Sequence, residues 1–167
     1  MTDISLADAE PADITGLADA FRDWPKPAAL FEHYLDERRA GRIDVLVARR
    51  DESPAGYCLI IWESAYPPFR EAGIPEISDL NVLHAHRGAG LGRRLLDEAE
   101  RCIATRAGTA GLRVGLYADY GIAQQMYARR GYLPDGRGVS IDGEPVPPGT
   151  MIALDDEPVL ALTRALR

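Results

Sequence analysis

The feature that most restricts this chain is a short turn, Arg87-Gly88-Ala89-Gly90-Leu91-Gly92, between an extended segment and an amphipathic one. Three alternate glycines let the backbone turn tightly and approach a ligand closely. Residues 76–83 before the turn read as a strand. Residues 91–105 after it read as a helix, with Leu91, Leu95, Leu96, Ala99 and Ile103 on one face. Such a junction gathers unpaired N–H groups at the helix start, an arrangement that binds phosphate oxygens. Arg87, Arg93 and Arg94 add positive charge. No acid lies between residues 80 and 96, although the chain has 26 acidic and 19 basic residues. The glycines fall first, third and fifth, whereas a dinucleotide fingerprint needs the first, third and sixth. A P-loop would need Gly-Lys-Ser or Gly-Lys-Thr, which is absent. Alone, the turn is either an anion cradle or a plain connection.

The remaining pattern sets this junction in an α/β chain. Helices are predicted over 13–22 and 28–40, broken at Trp24-Pro25-Lys26-Pro27 and stopped at Gly41. Strands over 43–48 and 56–62, with a turn at 49–54, predict a hairpin. Residues 63–75, with three prolines and the aromatics Tyr66 and Phe69, read as a long loop of the kind that carries function. A strand over 111–118 and a helix over 122–130 follow, with Gly131 as the helix stop. Residues 133–149 read mostly as loop or short strand, and 159–166 as a last strand. The strand–helix–strand order favours a parallel pair within a mixed sheet. At 167 residues, a single domain over 1–167 is expected.

Composition excludes several classes. A net charge of −7 argues against a general nucleic-acid surface, which needs clustered cations. The longest apolar stretch, 56–62, is far too short to span a membrane. Residues 1–10 lack the basic region of a signal peptide, so a cytoplasmic protein is expected. Cys58 and Cys102 lack metal-type spacing and read as buried, reduced thiols. His33, His84 and His86 lack a nearby partner set, and no metal site is expected.

A second motif gives the turn its weight. Arg87-x-x-Gly90-x-Gly92 is followed, thirty-odd residues on, by Ala123-x-x-Met126-Tyr127-x-x-x-Gly131-Tyr132. Together these resemble the GNAT superfamily of N-acetyltransferases, strongly over 76–132 and weakly before residue 43. The resemblance implies a GNAT-like acyl-CoA N-acyltransferase fold: a central mixed sheet splayed at the cofactor strand, with helices on both faces. It implies acetyl-CoA as co-substrate and no metal. Backbone groups of Leu80, Asn81 and Val82 would bond the pantetheine amides. Backbone N–H groups across Arg87, Gly88, Ala89, Gly90, Leu91, Gly92 and Arg93 would hold the pyrophosphate. Two positions depart from the family pattern. His84 stands where proline is frequent. Tyr120 stands where an asparagine commonly touches the coenzyme, so its cofactor contact is in doubt and it could shape the acceptor pocket instead.

The implied reaction is direct attack of a primary amine on the acetyl thioester in a ternary complex. Such an amine is mostly protonated at neutral pH and needs a base. Glu76 is the first candidate and Asp79 the second. Strand parity puts Glu76 on the face of Leu80 and Val82 unless a bulge intervenes. Tyr127 is the implied acid for the coenzyme A thiolate. Trp24, Tyr66 and Phe69 are the expected acceptor-binding aromatics. A small-molecule amine is the expected partner, and family members are often homodimers. Two other classes stay open: a non-catalytic acyl-CoA-binding module, and an amine-binding structural protein without a cofactor.

Overall fold

A computed structural model of the chain describes residues 4–24 and 26–166. Pro25, expected to help break the first helix, lies outside the described residues, as do residues 1–3 of the acidic N-terminal stretch. The described elements are, in order, β1 (Ile4–Asp8), α1 (Pro11–Ala20), α2 (Ala28–Arg39), β2 (Ile43–Arg50), β3 (Ser53–Ile61), α3 (Pro67–Glu71), β4 (Glu76–Val82), α4 (Leu91–Ala104), β5 (Thr109–Gly115), α5 (Gly121–Arg130), β6 (Leu133–Ile141), β7 (Glu144–Pro145) and β8 (Val159–Ala165). The chain packs as two compact units, 1–62 with 77–102 and 63–76 with 103–167. Among the described residues, no helix is long and apolar enough to cross a membrane.

In the first unit the strand order is β1-β2-β3-β4. The expected hairpin is β2–β3, antiparallel, with Val45 opposite Leu59 and Val47 opposite Tyr57. It closes through Asp51 and Glu52, both left-handed at φ 49 and 65, the handedness that suits the twist of two-residue hairpins. The core gathers Leu17 of α1, Phe21 at its C-cap, Phe31 of α2, Val45 and Val47 of β2, and Tyr57 of β3. Helix α1 starts with Pro11, and Glu10 and Asp13 cap each other reciprocally. Asp13 also pairs with Arg49 of β2. All five apolar residues predicted on one face of α4 are 0–1% exposed, so the helical period alone identifies its buried side.

In the second unit the order is β5-β8-β6-β7. Strands β5 and β8 pair antiparallel along their full lengths, from Thr109 opposite Ala165 to Gly115 opposite Val159. Helix α5 ends where expected, with Gly131 left-handed at φ 89.

Three elements depart from the sequence expectation. β1 adds a strand before the first helix, paired to β2. The 63–75 loop contains the short helix α3, begun by two prolines whose missing N–H groups cost nothing in a first turn. The 133–149 segment opens with the nine-residue strand β6, whose register against β8 shifts between Pro134 and Val139.

Candidate active site

Strand β4 carries the segment expected to hold the coenzyme, and it is not regular. Asp79 sits at φ 48, a left-handed conformation inside a strand. The parity argument for Glu76 therefore fails at Asp79, because a left-handed residue breaks the alternation of faces. For an L-residue this conformation costs roughly 1–2 kcal/mol. The side chain more than offsets that cost. Oδ1 of Asp79 accepts from Lys26 Nζ at 2.7 Å and from Asn81 Nδ2 at 2.7 Å. Oδ2 accepts from the Tyr57 hydroxyl at 2.6 Å and the Tyr34 hydroxyl at 2.8 Å. Hydrogen bonds to a charged group are each worth about 1.5–3 kcal/mol.

Burial pushes the Asp79 carboxyl up, but hydrogen bonds from Lys26, Tyr57 and Tyr34 and the Lys26 charge outweigh it and hold it below the usual range. The same site pushes the Tyr34 and Tyr57 phenols up, through burial first and the Asp79 charge second.

The glycine turn follows. Gly88 and Gly90 are left-handed at φ 78 and 79, and space is open where their Cβ atoms would stand. Helix α4 begins at Leu91. The first N–H groups of any helix have no intrahelical acceptor, so those of Leu91, Gly92 and Arg93 are available to an anion. Arg87 Nε donates to Val82 O at 3.1 Å, which ties the turn to the end of β4.

Trp24, expected at the acceptor, packs beside this turn. Its ring centroid lies 5.3 Å from that of His84, and the Arg87 guanidinium stands 5.6 Å from the indole. Trp24 and Lys26 also line an open cavity of about 480 Å³ on the α1–α2 connection.

The second unit holds the other expected residues. Glu76 is 2% exposed. Its Oε1 accepts from Arg113 Nε at 2.8 Å, and its Oε2 accepts from the Ser64 hydroxyl. Tyr66 and Phe69 are placed in a buried cluster with Ala161. The Phe69 ring occupies the space a side chain at Gly111 would need. The Tyr66 hydroxyl donates to Asp135 at 2.8 Å, and burial, then this bond, pushes its phenol up to about 12. Tyr120 covers Gly115 with its ring, and its hydroxyl donates to Asp156 at 2.8 Å. Tyr127 of α5 is buried at 9% exposure, edge-on to Tyr132 at 6.0 Å.

Comparison with known proteins fixes what this arrangement belongs to. Residues 41–134 match the family model described as an acetyltransferase (GNAT) domain. The chain belongs to the GNAT family. Its fold is also that of solved GNAT-type enzymes. An N-acetyltransferase from Staphylococcus aureus superimposes with a TM-score of 0.72 at 14% identity, covering 99% of each chain. A ribosomal-protein-alanine N-acetyltransferase from Brucella melitensis gives 0.69 at 20% identity, over 97% of this chain and 99% of the other. Mutant forms of a spermidine/spermine N-acetyltransferase from Vibrio cholerae give 0.67 at 16% identity, over 98% and 94%. No curated protein matches.

GNAT enzymes use an acyl-CoA as co-substrate, and the turn of this GNAT chain fits the phosphates of one. Its two left-handed glycines leave open space, its helix start supplies N–H groups, and Arg87 and Arg93 flank it. The sequence reading did not single out Lys26, Tyr57 or Arg113. Signals existed for two of them. Lys26 is the only lysine in the chain, and Tyr57 is the one hydroxyl-bearing residue in the apolar run 56–62.

Proposed function

We propose that this GNAT protein transfers an acetyl group from acetyl-CoA to the primary amine of a small molecule. The observation that carries the reading is the glycine turn at the start of α4, open above Gly88 and Gly90 and tied by Arg87 to the end of β4. Bound acetyl-CoA supplies an activated thioester. Backbone groups of Leu80, Asn81 and Val82 bind its pantetheine arm, and N–H groups from Gly88 to Arg93 bind its pyrophosphate; the Arg87 N–H, expected among them, instead donates to the His84 carbonyl at 3.3 Å. Tyr127 gives a proton to the departing sulfur. A phenol of pKa about 10 facing a thiol of about 8.5 makes this proton helpful, not indispensable.

The acceptor counts favour one of the two β4 carboxylates as base. A carboxylate has about four acceptor sites. Asp79 uses four, for Lys26, Asn81, Tyr57 and Tyr34. Glu76 receives Arg113 and Ser64, which leaves capacity for the amine's proton through a water. We therefore assign the base to Glu76 and not to Asp79. The fold serves a spermidine/spermine enzyme and a ribosomal-protein enzyme alike, and the small-molecule acceptor is our choice between them.

Calorimetric titration with acetyl-CoA tests the reading. Micromolar binding by the wild type, lost in a folded Gly90→Glu variant, supports it, and absence of wild-type binding removes it. With an active amine in hand, Tyr127→Phe and Glu76→Gln should each lower kcat by about 10²-fold. A loss of less than a few-fold with intact binding takes the residue out of the mechanism. A second reading, a non-catalytic acyl-CoA-binding module, is favoured by Tyr120, whose hydroxyl is engaged with Asp156. That reading predicts coenzyme binding with no turnover across an amine panel.

A further inference from the structure

Asp79 is saturated with donors and takes no part in the proposed proton transfers, yet its four partners come from four places. Lys26 lies on the α1–α2 connection, Tyr34 on α2, Tyr57 on β3 and Asn81 on β4 itself. The Asn81 amide also reaches the Asp79 carbonyl at 3.0 Å and the Tyr57 hydroxyl at 3.2 Å, which closes the network around one peptide unit. Lys26 and Asp79 are mostly buried, at 16% and 19% side-chain exposure. The Lys26 ammonium lies 5.8 Å from the centre of the Tyr57 ring. A compact ammonium fits between a carboxylate and an aromatic face, whereas a guanidinium fork is broader. The other 18 of the chain's 19 Lys and Arg residues are arginines.

This network surrounds the one left-handed residue of β4. Left-handed residues in strands re-aim the peptide groups that follow them. Those groups belong to Leu80, Asn81 and Val82. On the other side, β3 approaches this backbone so closely that a Cβ on Gly56 would stand 2.7 Å from the Asn81 carbonyl oxygen.

We propose that Asp79 is a positioning residue for acyl-CoA: its carboxylate clamps the left-handed turn of β4 that aims the peptide groups of residues 80–82, and through Lys26 it fastens the α1–α2 connection to the same point. The proposal rests on the reading that residues 80–82 hold the coenzyme. It makes Lys26, Tyr34 and Tyr57 indirect determinants of coenzyme binding, although none of them is expected to touch it.

Asp79→Gly separates the clamp from the backbone conformation, because glycine adopts a positive φ freely. Acetyl-CoA affinity should fall by roughly 10- to 100-fold, the loss typical of removing a supporting contact. Amide exchange at residues 80–82 should quicken by about tenfold without ligand, since local opening becomes easier. Asp79→Asn, which tolerates the left-handed conformation and keeps one acceptor oxygen, should recover part of both losses. The double variant Tyr34→Phe, Tyr57→Phe leaves the backbone untouched and should reproduce both effects more weakly. It carries the test if Asp79→Gly does not fold. Wild-type affinity and wild-type exchange in a folded Asp79→Gly, or in the double variant, overturn the proposal. A wild type that does not bind acetyl-CoA defeats the functional reading instead, while the exchange experiment still decides whether the clamp orders residues 80–82.

Discussion

At Asp79 one carboxylate does the work of several packing contacts, and its titration should be visible in the stability of the fold. Its carboxyl is held below the ordinary aspartate value of about 3.9 by Lys26 and the two tyrosines, which outweigh its burial. A depressed folded pKa means that the unfolded chain takes up the proton first. The stabilisation is complete above about pH 4 and is lost as pH falls through the lower folded value. Urea unfolding of wild type and Asp79→Asn should therefore show a wild-type advantage at pH 6 that shrinks at pH 3. A constant difference between the two pH values would mean that Asp79 titrates alike in both states. Arg49–Asp13 and the other ion pairs are common to both proteins and cancel in the comparison.

Elements of this chain are punctuated by glycines that act for different reasons, and substitution by alanine separates them. Gly131 ends α5 at φ 89 with nothing within 4 Å of its Cβ position, so Gly131→Ala meets only backbone strain, about 1–2 kcal/mol. Gly56 has an ordinary backbone but faces the Asn81 carbonyl at 2.7 Å, an unyielding neighbour. Gly56→Ala overpacks the β3–β4 contact and should cost about 1–3 kcal/mol. It should also weaken acetyl-CoA binding, because the strand it displaces carries residues 80–82. Gly131→Ala should leave binding unchanged. Urea midpoints and calorimetry on the two variants check both halves.

The same elements show what the sequence made legible. The face of α4, the stop at Gly131 and the β2–β3 hairpin follow from local periodicity and turn chemistry, and the structure has all three. Strand β6 was hidden because Pro134, Gly136 and Gly138 break its pattern, and these residues fall where its pairing with β8 slips. Strand β1 has five residues and takes its pairing from β2, a long-range partner that periodicity does not reveal. In the candidate site, the glycine turn was legible as a local motif. The Asp79 network was not, since Lys26 and Tyr34 lie 53 and 45 residues from Asp79. The burial of Tyr66 and Phe69 likewise depends on distant Gly111 and Ala161.

For the whole molecule, charge poses a question of sign. The chain carries a net charge of −7, yet its proposed anion cradle contains Arg87, Arg93 and Arg94 and lies in a stretch from 80 to 96 without an acid. Distant carboxylates repel a phosphorylated coenzyme, and the local arginines attract it. Salt separates the two by range. The Debye length is about 30 Å at 0.01 M, about 8 Å at 0.15 M and about 3 Å at 1 M. Raising salt from 0.01 to 0.15 M screens the long-range repulsion along with part of the attraction, so affinity for acetyl-CoA should change little. From 0.15 to 1 M only close pairs remain to be screened, and the Kd should rise. Replacing Arg87 and Arg93 by glutamine should flatten that second phase, because the contacts being screened are gone. A Kd that falls steadily across the whole salt range would mean that the chain's overall charge dominates, and that the coenzyme's phosphates do not sit against the Arg87–Arg93 turn.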